Sequence, residues 1–219
     1  MKQSLRVTSL TIALVACAAA AEAGPILITL DTSPLSGTQT ILFGLTNSDS
    51  SSNSVTLSAF DFGGGNVVTG SADCTLGGSF SGQGCSGDLA TNVTLADLDA
   101  VVFFSQQFQP GSTLSFILNA TNNFTGPTPD QFAMFLCDSA VTLCYSDDAT
   151  GALLLLDFVG GSLTPSSFVR FGATEQGLNP PVIAAVPEPG TLVLLGTAAA
   201  VAARRRSPLR SVGPEILRP

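Results

Sequence analysis

SVTLSAFDF, Ser54 to Phe62, decides the fold class: its apolar and polar residues alternate, as they do in TLSFILNA, Thr113 to Ala120. A period of two is what a strand with one face buried and one face wet requires. Working outward, the same grammar recurs in short apolar runs separated by Gly, Ser, Asn, Asp and Pro. These runs are ILITL (26–30), TILFGL (40–45), NVVTG (66–70), TNVTL (91–95), AVVFFSQQF (100–108), QFAMFLC (131–137), ALLLLDF (152–158) and SFVRFG (167–172). From residue 26 to residue 172 nothing sustains a helical period over three turns; LADLDA (95–100) is a short helix or a turn. Strands at this spacing, separated by turn residues, predict an all-β domain, a jelly-roll-like antiparallel β-sandwich.

Charge narrows what such a domain does. The chain of 219 residues has 16 acidic and 8 basic residues, and all but three of the acids lie between residues 24 and 185, where Arg170 is the only base. Nucleic acid is excluded as a partner, because phosphate contacts need clustered Lys and Arg. With no His, neither a Ser-His-Asp nor a Cys-His centre exists, and a zinc site would consume all the cysteines left after export.

Lys2 and Arg6, the apolar run Val7 to Ala20 and the small-x-small pattern Ala21-Glu22-Ala23 predict a signal peptide over residues 1–23, cut by signal peptidase. Leu14-Val15-Ala16-Cys17 also fits a lipobox, with lipidated Cys17 as the rival outcome. Cys74, Cys85, Cys137 and Cys144 then remain, an even number bound for an oxidising compartment. Three pairings exist. The local one, Cys74 with Cys85 and Cys137 with Cys144, is favoured, each ring contributing about 2.5–3 kcal/mol on the chain-entropy model. Neither pair has the Cys-x-x-Cys spacing of a zinc ribbon.

The folded domain is expected over residues 24–173. Residues 174–185, with Pro180-Pro181, read as an extended linker. Residues 186–206 open with Val186-Pro187-Glu188-Pro189, continue with the apolar run Leu192 to Ala203 and close with Arg204, Arg205 and Arg206; residues 207–219 form a cytoplasmic tail. The apolar run from Leu192 to Ala203, as a helix, measures about 18 Å against a hydrocarbon core of about 30 Å, so it is a marginal transmembrane anchor. The arginines fix its orientation, with the β-domain outside.

Pro-Glu-Pro, short apolar helix and arginine cluster, in that order, resemble the PEP-CTERM sorting signal of Gram-negative, exopolysaccharide-producing bacteria, a region also labelled an ice-binding protein C-terminal domain. The resemblance implies that a membrane protease-transpeptidase, exosortase, cuts such a tail near the Pro-Glu-Pro. Val186, Pro187, Glu188 and Pro189 would then be recognition residues, Leu192 to Ala203 a transient inner-membrane anchor, and Arg204 to Arg206 the stop signal. DTSPLSGTQTILFGLTN, SAFDFGGGN, FQPGSTLSFILNAT and TPDQFAMFL also resemble a recurrent set of ectodomains carrying such tails, a set with no activity to transfer.

Other chemistry is sparser. Asp97 with Asp99, or Asp147 with Asp148, are the sequence pairs that could run carboxylate-based glycan hydrolysis. Calcium, which takes oxygen ligands from loops, has candidates in Asp61, Asp130, Asp147 and Asp148; the competing reading is that these are turn formers. The expectation is a non-enzymatic structural protein of the cell surface or of the exopolysaccharide or biofilm matrix, without an obligatory cofactor. Its rivals are a carbohydrate-binding module, calcium-dependent or not, and a glycan-active enzyme.

Overall fold

The computed structural model describes residues 24–48, 52–124 and 126–187. It contains twelve strands: β1 Ile26–Asp31, β2 Gln39–Thr46, β3 Ser54–Asp61, β4 Asn66–Val67, β5 Cys85–Gly87, β6 Asn92–Ala96, β7 Val101–Gln109, β8 Thr113–Ala120, β9 Gln131–Asp138, β10 Leu154–Asp157, β11 Phe168–Arg170 and β12 Val182–Ala185. The strands form two six-stranded sheets, in the orders β12-β1-β8-β3-β6-β5 and β11-β10-β9-β2-β7-β4. Every strand pairing is antiparallel. The architecture is a β-sandwich. Each stretch expected to be a strand contains one, and 95–100 is the end of β6 followed by a turn rather than a helix.

Alternation along the strands builds the core. Ile26, Ile28 and Leu30 of β1, Leu114, Phe116 and Leu118 of β8, and Val55 and Leu57 of β3 are buried and face Ile41, Phe43 and Leu45 of β2 and Phe132, Met134 and Leu136 of β9. Phe43 is the hub, with ring centroids of Phe116, Phe132, Phe104 and Phe60 at 5.5, 6.1, 6.2 and 6.3 Å. Each fully buried Phe contributes about 2–3 kcal/mol of transfer free energy, with tilted and offset ring pairs adding to it.

The opening stretch is not a uniform strand. The register of β3 against β8 shifts between Ser58 and Asp61, and Ala59 sits in the left-handed region at φ 54°. This bulge inserts one residue, so the inward positions run Val55, Leu57, then Phe60 and Phe62. Without it Ala59 and Asp61 would face the core. Phe60 instead packs 5.4 Å from Phe116 and Phe62 5.7 Å from Phe108, which is what the extra residue achieves.

Both open sides of the sandwich are closed by a crossover between sheets. On one side, the segment leaving β4 pairs Asp73 with Ser105 of β7, and the next residue, Cys74, is disulfide-bonded to Cys85 of β5. A covalent bond therefore joins the edges of the two sheets. On the other side, the chain leaves β11, makes a 3-10 turn at Thr174–Gln176, buries Leu178 and returns as β12, paired with β1 from Ile26↔Ala185 to Thr29↔Val182. The expected linker over 174–185 is thus corrected: it is the last strand and its crossover. Pro181 and Pro187 stand just outside β12, where their missing N–H removes no ladder bond, so prolines that suggest a linker are compatible with an edge strand.

Candidate functional site

The sorting residues begin where the sheet ends. Ala185 is the last residue of β12 and is opposite Ile26; Val186 N–H then donates to the Pro25 carbonyl at 2.8 Å, and Pro187 is exposed. Both ends of the described chain therefore meet at one corner of the sandwich. Glu188, Pro189, the run Leu192 to Ala203 and Arg204 to Arg206 lie outside the described residues, as do the expected signal peptide and Cys17. Among the described residues, no helix is long and apolar enough to cross a membrane.

The four cysteines are joined as the spacing favours, Cys74 to Cys85 and Cys137 to Cys144. The second bond closes a hairpin at the end of β9, where Asp138 N–H donates to the Leu143 carbonyl at 2.9 Å.

The calcium candidates do not converge. Asp61 and Asp130 are at opposite ends of β3: Asp61 accepts Gly63 N–H at 2.9 Å, while Asp130 accepts the side-chain amide of Asn53, the residue preceding β3, at 2.7 Å. Gly65, in the turn after Asp61, and Gly111 are required by packing. A Cβ on Gly65 would stand 2.0 Å from the Gln109 carbonyl oxygen, and one on Gly111 2.2 Å from that of Gly63, so two loop backbones lie directly against each other. Asp148 accepts Thr150 N–H at 2.9 Å and also the Thr150 hydroxyl. Its neighbour Asp147 reaches the other way and accepts both the backbone N–H and the hydroxyl of Thr174, at 2.8 and 2.9 Å, which pins the crossover to β12. Among the described residues, no three His, Cys, Asp or Glu side chains come together as metal ligands do.

Asp97 and Asp99 do not act as a pair either. Asp99 accepts the Ser81 hydroxyl at 2.7 Å. Asp97 turns inward to Asp130, a partner 33 positions away that spacing does not reveal, so that the two carboxyl groups are neighbours. Both are buried, Asp130 completely. Asn53 connects them, its backbone N–H donating to Asp97 Oδ2 at 2.6 Å and its amide to Asp130 Oδ2 at 2.7 Å, while Ser48 N–H donates to Asp130 Oδ1 at 2.7 Å. Burial pushes the Asp97 carboxyl above its ordinary value; the Asn53 N–H pulls it back, and the neighbouring Asp130 raises it again. The arrangement ties the segment before β3 to the ends of β6 and β9. Three of its four carboxylate oxygens, both of Asp130 and Oδ2 of Asp97, accept from these donors, which is the chemistry of a structural cross-link.

Comparison with protein families matches one model, the PEP-CTERM protein-sorting motif, at residues 185–207. The chain thus carries the sorting motif of an exported protein handled by exosortase and directed to the cell surface. Searches among curated proteins and among solved structures returned no match.

Proposed function

We propose that this is a non-enzymatic structural protein of the cell surface or of the exopolysaccharide or biofilm matrix. A signal peptide exports it, its C-terminal helix holds it in the inner membrane as a single-pass intermediate, and exosortase trims it. The observation that carries this reading is the sorting motif beginning at Ala185, the final residue of an acidic sandwich cross-linked by two disulfides. We read the sandwich as jelly-roll-like, which the nested pairings β1–β8, β2–β7 and β3–β6 support. The test is the mass of the mature protein in membrane and medium fractions. A C-terminus between Pro187 and Gly190, lost in a Glu188→Ala variant, is the expected result; an intact Pro219 in every fraction rejects it.

One observation favours a carbohydrate-binding module as second reading. Phe103 stands on the outer face of its sheet, lying over Gly44, where an added Cβ would be 2.8 Å from the ring, and Phe80 packs on it at 4.8 Å. Aromatic rings outside a core are what sugar faces use, although Trp and Tyr serve better. Pull-down on exopolysaccharide, with and without chelator, is expected to retain the protein only if this reading holds, and Phe103→Ala is then expected to release it.

A further inference from the structure

We infer that β12 is a latch on the sorting signal: the folded domain holds the residues that lead into the cut site, Ala185 and Val186, and trimming waits for β12 to leave β1. The inference rests on the exosortase reading above and adds what controls the reaction. Its basis is the absence of slack. The motif's first residue, Ala185, is paired in the sheet, and the next, Val186, still donates a backbone hydrogen bond to Pro25.

Reach makes the consequence concrete. From Val186 to Leu192, where the apolar run begins, there are six residues, at most about 20 Å of extended chain. The enzyme that grips Pro-Glu-Pro must fit into that interval between sandwich and membrane. If β12 lets go, the free chain starts at Pro181, which is buried and whose carbonyl accepts Arg170 Nη1 at 3.3 Å. Eleven residues then extend to Leu192, about 38 Å.

β12 is built to be the element that leaves. It is four residues long, lies at the edge of its sheet and has β1 as its one partner strand. Of its side chains, only Ile183 packs against the core, and Val182, Ala184 and Ala185 are exposed. No disulfide holds it, since both are elsewhere. By contrast β1, the other strand at this corner, is sandwiched between β12 and β8 and has Ile26, Ile28 and Leu30 buried. Short edge elements with few apolar contacts open far more often than the whole fold does, and proteolysis follows the population of the opened form when reclosing is fast.

The experiment compares trimming rates of the full chain in exosortase-bearing cells by pulse-chase. A flexible Gly-Ser spacer inserted between Ala185 and Val186 gives the enzyme room without opening the sheet, and trimming is expected to accelerate about tenfold. Leu27→Cys with Ala184→Cys, opposite residues of β1 and β12, pins the latch. Trimming of this variant is expected to slow about tenfold and, under reductant, to return to the rate of the unpinned chain in the same reductant. Wild-type rates in both variants would overturn the latch while leaving the sorting reading intact. If neither wild type nor Glu188→Ala is trimmed at all, the sorting reading fails instead. Hydrogen exchange on the full chain then still decides whether β12 opens: amides of β12 exchanging well before those of β8 support the latch, and equal protection overturns it.

Discussion

The two edges of the β1-containing sheet are held in opposite ways. At one edge β5 is fixed by the Cys74–Cys85 bond, which reaches across to the segment paired with β7, and by Gly84, whose carbonyl accepts Ala96 N–H at 2.7 Å. At the other edge β12 is held by its ladder to β1, by Ile183 and by a crossover pinned through Asp147. One side is closed covalently; the other is closed by bonds that break and reform singly. An unprotected edge is a pairing liability, so a protein bound for a crowded surface gains by locking one. If β12 is the proposed latch, the edge that leads into the sorting motif cannot be locked, and the contrast between the two edges follows from that.

The largest effect expected on this contrast comes from removing the lock. Cys74→Ser with Cys85→Ser should cost about 3 kcal/mol of unfolding free energy, read by denaturant titration, and should bring β5 amides toward the exchange rates of β12. A loss below about 1 kcal/mol would mean that the edge is held by its ladder alone. Next, Asp147→Ala leaves the Thr174 donors without their carboxylate and should cost about 1–2 kcal/mol, concentrated at β12. Equal loosening of β5 would break the distinction. Smaller again, Ala59→Gly relieves the left-handed residue of the β3 bulge and should stabilise the whole fold by about 0.5–1 kcal/mol. As it touches neither edge, the gap between global unfolding and β12 opening should widen.

The smallest effect is that of pH. Burial holds the folded pKa of Asp97 above the ordinary carboxylate value of 3.8, so the stability it adds is fully present below that value and is lost as pH rises through the folded pKa. Asp31, Asp73, Asp99, Asp138 and Asp148 are lowered, chiefly by hydroxyl donors, so their contributions are present above 3.8 and lost as pH falls through their folded values. Thermal melts should therefore rise slightly from pH 7 into the acid range and fall again below about pH 4. Asp97→Asn should remove the rise and keep the fall. Because Asp97 follows β6 beside the locked edge, β12 exchange should not follow this profile once intrinsic rates are corrected.

Much of this was legible from residue order. Ten strands announced themselves by short apolar runs between turn residues, two of them with clean period-two alternation, and short spacings favoured the observed cysteine pairing, because ring closure between near neighbours is the most frequent encounter in a short loop. β5, the three residues Cys85–Gly87, has no apolar alternation to be seen by. β12 was hidden by flanking prolines, since an edge strand is made of backbone hydrogen bonds and needs little side-chain signature. Gln106 reads as a polar strand residue but is buried, its Oε1 accepting Leu89 N–H at 2.8 Å and its Nε2 donating to the Val68 carbonyl. The carboxylate pair that forms, Asp97 with Asp130, joins segments far apart in the chain, and the pairs that adjacency suggested turn away from each other.

What the sequence by itself determined is what local chemistry encodes: the all-β class, the cysteine rings, the acidic surface and the sorting signal, whose three parts are read in linear order. The tertiary structure alone decided which strands pair, that a bulge at Ala59 turns Phe60 and Phe62 inward, that Asp97 meets Asp130, and that the signal starts on a paired strand. Those outcomes depend on contacts between residues distant in the chain, and a hydrogen bond such as Val186 to Pro25 exists only once the two ends of the domain have been brought to the same corner.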